Sequence, residues 1–363
     1  MNELWTKGRE AGYKAGYANG YHFGRCEAVL SKEMRPEQIL WEKKVLFVKA
    51  DGQPYSSIDE GISEGLSRLV RTVLIIRPGE DAASVAERER PDLVLVLDAG
   101  GRPFPVDQAD RMRAAGLKTA VWFPDDPYHS DSTLSIAAHY DYVFTQELSC
   151  VPHYRKTGCP NVSYLPFAVN PKFTFPRRAG TSYQYDICFI GSAFWNRVAA
   201  FDEISEYLKG RSVFINGFWW ERLRNYRILG DKINRYWLSP EETYRYYSNA
   251  KIVINLHRSP GNEVHNSNRR NIPAVSVNPR LFEISACGTL QLTDVRSELA
   301  SFYAPGSDLD VFSSTKELIH KLDYYLNHEE ERRQIAFNGL VRTVREHTYR
   351  RRLQKLLYHV WEE

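Results

Sequence analysis

Short runs of almost uninterrupted apolar residues, each followed by a helix-like segment, constrain the fold of this chain more than any other feature. The run Leu-Val-Leu-Val-Leu at residues 93–97 is typical, because no polar residue interrupts it. A strand that is apolar on both faces has to be covered on both sides, as strands of parallel sheets are by their crossover helices. The pattern therefore predicts an α/β fold in which parallel strands alternate with helices.

This alternation occurs twice along the 363 residues, a length that suits two domains with their own cores. In the first half, short strands are predicted at residues 45–48, 72–76, 92–97, 119–123, 142–145 and 162–165. In the second half, they are predicted at residues 186–190, 213–216, 252–256 and 290–293. Residues 166–185 lie between the halves and hold three prolines without a helical period, which is typical of a linker.

We expect two doubly wound, Rossmann-like domains with a helical arm in front of them. The predicted boundaries are an arm at 1–42, a first domain at 43–170, a linker at 171–185 and a second domain at 186–349. Two such sheets meet in a cleft at the carboxyl ends of their strands, where ligands of α/β proteins bind. The functional site is therefore expected in that cleft.

Several classes of function are disfavoured by what the sequence lacks. No Gly-x-Gly-x-x-Gly follows the first strand, so a dinucleotide cofactor is not expected. The 48 basic and 45 acidic side chains leave a net charge of +3, too small for nucleic acid to be the expected partner. The five cysteines are scattered, which indicates reduced thiols and no metal site. No apolar run approaches the roughly 18 residues of a membrane span, so we expect a cytoplasmic protein with at most peripheral membrane contact.

Glycine and tyrosine both recur every four residues near the start of the chain, at Gly8, Gly12, Gly16, Gly20 and Gly24 and at Tyr13, Tyr17 and Tyr21. On an α-helix this spacing forms one nearly continuous stripe. Each glycine weakens a helix by about 1 kcal/mol relative to alanine, so the repeat suits a helix that another backbone approaches closely. We expect residues 8–24 to pack on the chain itself or on a partner, such as a second copy. A flexible tail with a repetitive sequence is the alternative.

The segment 278–288 is the most informative about ligand binding. Asn278 and Pro279 are typical of the start of a helix, and its first turn, which includes Leu281, presents N–H groups and a partial positive charge that suit a diphosphate. Arg280 and Glu283 share one face, so the guanidinium could hold phosphate while the carboxylate accepts hydrogen bonds from a ribose diol. An ion pair between these two side chains is the alternative.

The order of several motifs carries a family resemblance. Arg-Leu-Phe-Glu-Ile-Ser-Ala-Cys-Gly-Thr-Leu-Gln-Leu-Thr-Asp starts at residue 280, Glu-Glu-Arg-Arg-Gln-Ile-Ala at 330 and Glu-His-Thr-Tyr-Arg at 346. Earlier in the chain, Trp-Phe-Pro-Asp-Asp-Pro-Tyr starts at 122, Tyr-Asp-Tyr-Val-Phe-Thr at 140, Tyr-Leu-Pro-Phe-Ala at 164 and Asp-Ile-Cys-Phe-Ile-Gly-Ser at 186. Taken in this order, residues 43–363 resemble the CgeB (spore maturation protein) family of GT-B glycosyltransferases.

The resemblance implies a nucleotide-sugar donor bound mainly by the second domain and an acceptor held mainly by the first. It also implies a last helix that crosses back to the first domain, for which residues 350–363 are the candidate. In related retaining enzymes, one glutamate contacts the donor sugar and a second, eight positions later, contacts the ribose. Glu283 matches the second glutamate, but Val275 stands in place of the first.

Other donor contacts are predicted at the carboxyl ends of strands in the second half. The candidates are Gly191, Ser192 and Arg197 after the first of these strands, Gly217 and Phe218 after the second, and His257 after the third. Glycine lets a phosphate approach the backbone and arginine adds charge, while the ring could receive a base and the histidine could donate to phosphate or sugar. The alternatives are a glycine that only makes a turn, a ring that only packs and a structural histidine.

Two adjacent carboxylates and a histidine follow the strand at residues 119–123. Transfer needs a base for the acceptor hydroxyl, and neighbouring carboxylates raise each other's pKa toward a useful range. Asp126 is therefore the candidate base, with Asp125 and His129 beside it. A turn or helix cap built by Asp-Asp-Pro is the alternative. Residues 98–101 and Asp51 end other strands on the same rim and could help to hold a ligand.

Together these features predict a GT-B glycosyltransferase of the hexosyltransferase type that needs neither a metal nor a cofactor. The donor would be a nucleotide-diphosphate sugar, UDP-linked before dTDP- or GDP-linked. The resemblance further implies that the acceptor is a hydroxyl of a bacterial surface glycan, glycoprotein or spore-coat component. A basic run could hold an anionic acceptor or a membrane surface, or form a solvated helix face: Arg342, Arg345, Arg350, Arg351, Arg352 and Lys355. The alternative hypothesis is a non-catalytic GT-B-fold scaffold in spore-coat or surface-layer assembly.

Overall fold

The computed structural model describes residues 2–33, 40–100, 103–261 and 263–362. The chain begins with the helix α1 (Asn2–Glu33). The first sheet and its helices are β1 (Trp41–Val48), α2 (Ser56–Ser67), β2 (Val70–Ile76), α3 (Ala82–Glu89), β3 (Leu93–Leu97), α4 (Val106–Ala114), β4 (Thr119–Phe123), α5 (Ser130–Ile136), β5 (Tyr142–Thr145), α6 (Val151–Lys156) and β6 (Asn161–Tyr164).

The second sheet and its helices follow a connecting segment. They are β7 (Tyr185–Ile190), α7 (Trp195–Lys209), β8 (Val213–Asn216), α8 (Tyr226–Leu229), β9 (Ile233–Asn234), α9 (Pro240–Asn249), β10 (Ala250–Asn255), α10 (Pro279–Ala286), β11 (Leu290–Asp294), β12 (Asp310–Phe312), α11 (Thr315–Asn327), α12 (Glu329–Glu346) and α13 (Tyr349–Trp361).

Both sheets are parallel throughout. The strand order is β2-β1-β3-β4-β5-β6 in the first sheet and β12-β11-β10-β7-β8-β9 in the second, and all neighbouring strands run in the same direction. The predicted pair of doubly wound sheets with an N-terminal helix is therefore confirmed. The strands β9 and β12, of two and three residues, were not predicted because such short segments show no period.

The start of β1 differs from the prediction. The strand begins at Trp41, whereas its predicted start was residue 45, after the charged residues Glu42, Lys43 and Lys44. Lys43 Nζ lies 3.0 Å from Asp92 Oδ1, and Lys44 Nζ donates to the Glu89 carbonyl at 2.8 Å. These partners satisfy the charged side chains while the backbone pairs in the sheet. Residues 34–39 of the predicted arm lie outside the described part of the chain.

The first core forms on both faces of its sheet, as the apolar runs predicted. In β3, Val94 and Val96 join one buried cluster, while Leu93, Leu95 and Leu97 join the cluster on the opposite face. The last helix, α13, contributes Leu353 and its neighbours to that second cluster and contacts α2. The chain therefore returns from the second sheet to the first at its end.

The segment 263–276, which we call the strap, leaves the second sheet after β10 and fastens to the first domain. Ile272 is buried in the core of the first sheet. The Ser267 N–H donates to the Tyr128 carbonyl at 2.7 Å, and the Asp131 N–H donates to the Ser267 carbonyl at 2.9 Å. The strap therefore ties the loop after β4 to the segment that precedes α10.

The arm α1 is a helix rather than an irregular tail. Its C-terminal part docks on the second domain: Arg25 donates to the Arg333 carbonyl and to Gln334 Oε1 at 2.6 and 2.8 Å, and Leu30 is buried. The five repeating glycines are not part of this contact, since a Cβ on any of them would meet no described atom within 4 Å. The close backbone approach expected at the glycine stripe is therefore not made by the described chain.

Candidate functional site

The start of α10 is built as a cap. Asn278 Oδ1 accepts the N–H of Leu281 at 3.0 Å, and Asn278 Nδ2 donates to Asn255 Oδ1 at 3.0 Å. The side chain of Leu281 is buried and its N–H donates to the cap. Leu281 therefore serves the helix start and is not free for the predicted contact with the nucleotide-sugar donor. The positive end of the helix dipole still faces the carboxyl edge of the sheet.

His257 fixes that cap in place. Its Nδ1 lies 2.6 Å from Asp294 Oδ1, and its Nε2 accepts the Asn278 N–H at 3.0 Å. Burial lowers the pKa of His257 although Asp294 opposes the shift. Because Nε2 accepts a backbone N–H, the proton of the ring is on Nδ1, which donates to Asp294. Despite its burial, Asp294 has a pKa held at about 2 by His257 and Arg296. Both ring nitrogens are engaged, and the predicted contact of His257 with phosphate or sugar is replaced by a positioning role.

Arg280 and Glu283, at the start of α10, both lack a partner within the described part of the chain. Among the described residues, no hydrogen bond or ion pair at contact distance engages either side chain, so the alternative of a mutual ion pair is not what the structure contains. Burial raises the pKa of Glu283, while Arg280 nearby opposes the shift. The pair thus offers a guanidinium and a carboxylate beside a helix N-terminus, which matches a phosphate next to a diol.

Arg197 adds a second guanidinium. Its Nε and Nη1 donate to the carbonyls of Leu256 and Ser192, both at 2.9 Å, and the side chain is 4% exposed. Burial first, and then the charge of Arg280, lower its pKa to about 9. Two guanidiniums that repel each other in a buried setting are stabilised when an anion binds between them.

Gly191 and Gly217 bring the ends of β7 and β8 together. Gly217 has φ +144°, and a Cβ there would overlap the carbonyl of Gly191. The Gly191 N–H donates to the Asn216 carbonyl at 2.7 Å. The structure therefore requires glycine at position 217 for chain packing, and Ser192 follows this junction with its carbonyl bound to Arg197.

Phe218 lies beside an open cavity at the edge of the second sheet. The ring is 43% exposed and stacks on Trp237 with centroids 6.4 Å apart. The cavity, of about 650 Å³, is lined also by Asn234 and Tyr236. A planar base would fit against these rings. Sequence reasoning missed Trp237, although aromatic crowding in this region was a usable signal.

Asp126, the predicted base, is not accessible to an acceptor. Its carboxylate is 2% exposed and accepts hydrogen bonds from Thr145 Oγ1, Tyr154 OH and Thr133 Oγ1 at 2.6, 2.6 and 3.0 Å. Burial raises its pKa to about 6 although these hydrogen bonds oppose the shift. The prediction for Asp126 is therefore corrected: the side chain anchors the loop after β4, because all its acceptor sites face the interior.

Asp125 is the carboxylate of this pair that is partly exposed. It accepts a short hydrogen bond from Tyr55 OH. Burial lowers the pKa of Arg258, and Asp125 opposes that shift; burial likewise lowers the pKa of His129 against the effect of Asp125. Asp125, His129 and Arg258 are therefore close enough for their charges to interact. Tyr55 and Arg258 were missed because neither belongs to a local motif.

The other rim candidates build turns. Asp98 is buried and accepts the N–H groups of Gly100 and Phe104 at 2.7 and 2.9 Å. Asp51 has φ +51° and accepts the Gly52 N–H at 2.9 Å. Gly101, named with Asp98 in the sequence, lies outside the described residues.

Several side chains of the basic run near the C-terminus pair with other residues of the protein. Arg342 pairs with Asp308 and Arg345 with Glu33. Arg352 is buried and donates to the Pro166 carbonyl at 3.0 Å. In the part of the chain that the structure describes, no helix is long and apolar enough to cross a bilayer, and no three His, Cys, Asp or Glu side chains form a candidate metal cluster.

Comparison with known proteins gives two kinds of similarity. Residues 197–358 match the family model of glycosyl transferase-like proteins. The chain is 28% identical over 311 residues to spore protein CgeB of Bacillus subtilis, covering 84% of this chain and 95% of that protein. The resemblance to the CgeB family is thereby confirmed.

Solved structures share the fold at low sequence identity. HepE of Anabaena in complex with UDP-glucose is 10% identical and has a TM-score of 0.61, with 88% of this chain and 100% of that chain covered. Sucrose-phosphate synthase of Thermosynechococcus elongatus is 11% identical, with a TM-score of 0.58 and coverage of 87% and 98%. The expected GT-B architecture is confirmed.

Proposed function

Because residues 197–358 match a glycosyl transferase-like family and 88% of the chain shares the GT-B fold of HepE, we propose that this protein moves a hexose from a nucleotide-diphosphate sugar to an acceptor hydroxyl. A UDP-linked donor is favoured, since the HepE structure of the same fold holds UDP-glucose, and dTDP- or GDP-linked donors come next. The proposed acceptor is a bacterial surface glycan, glycoprotein or spore-coat component, in keeping with the similarity to a spore protein.

The observation that carries the proposal is the set of unsatisfied charges at the start of α10. Arg280 and Glu283 have no partner at contact distance among the described side chains, and Arg197 lies close enough to Arg280 for its pKa to be lowered by the second charge. A diphosphate would neutralise the two guanidiniums, and a ribose diol would donate to Glu283. The Asp294–His257–Asn278 chain holds the helix end in register for this contact.

Transfer would break the bond between the sugar C1 and the diphosphate oxygen and form a bond from C1 to the acceptor oxygen. Arg197, Arg280 and the helix dipole would stabilise the electron pair that leaves with the diphosphate. The acceptor proton would pass to Asp125, which replaces Asp126 as the proposed base. We propose that no metal is required, because the two guanidiniums supply the positive charge at the leaving group.

The test is calorimetric titration of the full chain with UDP, GDP, dTDP and CDP, with and without EDTA. One diphosphate should bind regardless of EDTA, and Arg280→Ala should weaken it by roughly 10- to 100-fold, the range for hydrogen bonds to charged groups. Glu283→Ala should weaken it less, through the ribose alone. Arg71→Ala is the matched control, since its side chain is 66% exposed on the first sheet. Unchanged affinity in both site variants would contradict the placement of the donor.

A non-catalytic scaffold is the second candidate, and one observation favours it. Val275 has no carboxylate to offer a donor sugar, and its N–H is held by Glu147 Oε1 at 3.2 Å. In this case the nucleotide-diphosphate sugar would bind, but no acceptor would cause the nucleotide to be released from the sugar. The uncovered glycines of α1 would then contact a partner protein or a second copy of the chain. Light scattering should then show a lower oligomeric mass for a variant lacking residues 1–30, or for Gly12→Leu, than for the unaltered protein.

A further inference from the structure

A continuous series of contacts between rings and guanidiniums, which we call the stack, leads from the loop after β4 along the edge of the second domain. The Arg258 guanidinium lies between the rings of Tyr128 and Phe194, 4.4 and 4.3 Å from their centroids. Phe194 contacts Trp219 with centroids 5.7 Å apart. The stack therefore begins three residues from Asp125 and crosses from the first domain to the second.

The stack ends on an exposed indole. Arg222 lies over both Trp219 and Trp195, at 4.9 and 4.8 Å, and His265 stacks on Trp219 with centroids 4.2 Å apart. Trp195 is 51% exposed although its neighbours hold it in place. We call six residues of the stack the aromatic rim: Tyr128, Phe194, Trp195, Trp219, Arg222 and Arg258.

The backbone beneath the aromatic rim is held in an unusual conformation. Trp219 has φ +67°, a left-handed geometry that is uncommon for a bulky residue. Such conformations persist where surrounding contacts impose them, and they concentrate at ligand sites. The Trp195 N–H donates to Glu263 Oε2 at 3.3 Å, which fixes the start of α7. The rings are therefore presented on a preorganised surface.

The charges of the aromatic rim are balanced within the protein. Glu263 Oε1 lies 3.7 Å from Arg222 Nη1, and Asp125 lies near enough to Arg258 to oppose the lowering of its pKa. A surface of this kind does not select a strongly anionic ligand.

We propose that the aromatic rim binds the further sugar units of an uncharged carbohydrate acceptor, beyond the unit whose hydroxyl is glycosylated. The inference rests on the proposed transferase function and narrows its acceptor to an oligosaccharide. A pyranose ring places its C–H face on an indole, and the half-exposed Trp195 offers such a face. The start of the stack beside Asp125 gives the chain a continuous path to the reacting hydroxyl.

The experiment is titration of the full chain with cellotetraose, chitotetraose and mannotetraose, each against its monosaccharide, followed by calorimetry. At least one tetrasaccharide should bind the unaltered protein tenfold or more tightly than its monosaccharide. Trp195→Ala should weaken that tetrasaccharide about tenfold, equivalent to about 1.4 kcal/mol, and Trp195→Phe should restore most of the loss. Trp5→Ala, which removes another exposed indole at 66% exposure on α1, should bind like the unaltered protein.

Two results would overturn the proposal: no tetrasaccharide that binds better than its monosaccharide, or a Trp195→Ala variant with unchanged affinity. UDP is titrated into the same samples so that the two proposals fail separately. UDP binding without oligosaccharide binding overturns the role of the aromatic rim and leaves the transferase standing. Oligosaccharide binding that depends on Trp195, without any nucleotide binding, overturns the transferase and leaves a carbohydrate-binding surface.

Discussion

Among single residues, the adjacent aspartates Asp125 and Asp126 have different surroundings: Asp125 is partly exposed, whereas Asp126 is buried. Asp126→Asn should destabilise the fold by about 1–3 kcal/mol, because the buried carboxylate accepts three hydroxyl donors that an amide cannot all satisfy. Asp125→Asn should leave stability unchanged and lower the release of nucleotide from the donor by about 10²- to 10⁴-fold, as loss of a general base does. Urea denaturation and nucleotide release, measured on both variants, check the assignment; the reverse pattern would return the base to Asp126.

Gly217 shows a residue whose role is steric. Gly217→Ala should lower the free energy of unfolding by more than about 2 kcal/mol, because φ +144° is strained for alanine and a Cβ would overlap the Gly191 carbonyl. Gly210→Ala is the control, since a Cβ there meets no described atom within 4 Å. Urea denaturation of the two variants measures the difference, and equal stabilities would contradict the close approach of β7 and β8.

At the scale of elements, the docking of α1 depends on a neutral histidine. His22 Nε2 lies 2.7 Å from the Gly288 carbonyl, and burial, opposed by that carbonyl and assisted by Arg25, lowers its pKa to about 4. The undocked ring would have a pKa of about 6.5 and bind the proton first. Docking of α1 should therefore weaken as the pH falls from about 6.5 to about 4, by up to about 3 kcal/mol.

Hydrogen exchange of residues 2–33 at each pH measures this opening. His22→Gln keeps a donor for the Gly288 carbonyl without a titrating group, so its exchange should not gain the extra dependence on pH. Comparison of the two proteins at the same pH cancels the intrinsic change in exchange rate. Identical profiles would show that His22 does not control the contact.

At the scale of the whole molecule, Glu147 joins the two domains through the strap. Its carboxylate accepts the N–H groups of Val275 and Ser276 at 3.2 and 3.1 Å. Glu147→Ala leaves the buried Ser276 N–H and the partly buried Val275 N–H unpaired and should cost at least about 2 kcal/mol. The strap should detach, so the radius of gyration in X-ray scattering should rise and UDP should bind more weakly. Glu60→Ala, on the exposed side of α2, is the control, and an unchanged radius and affinity would contradict the coupling.

Local features of the chain were predictable because they depend on near neighbours. The apolar run at 93–97 became β3 on both faces of a core, and Asn278 with Pro279 began α10 as the capping pattern indicated. The motifs on either side of the cleft were sufficient for the GT-B fold. In each case the physical cause, a side-chain period or a capped turn, lies within a few residues of the signal.

Which of two similar residues reaches the cleft depended on tertiary structure. Asp126 and His257 were plausible ligand contacts by type and position, yet three hydroxyls enclose the first and Asp294 with Asn278 engages the second. Tyr55 and the strap meet the loop after β4 from distant parts of the chain. The elements and the layers were predictable from the chain alone, since they follow from local periodicity and the burial of apolar faces. Which polar groups are satisfied and which stay available depends on tertiary packing, because their partners lie far apart along the chain.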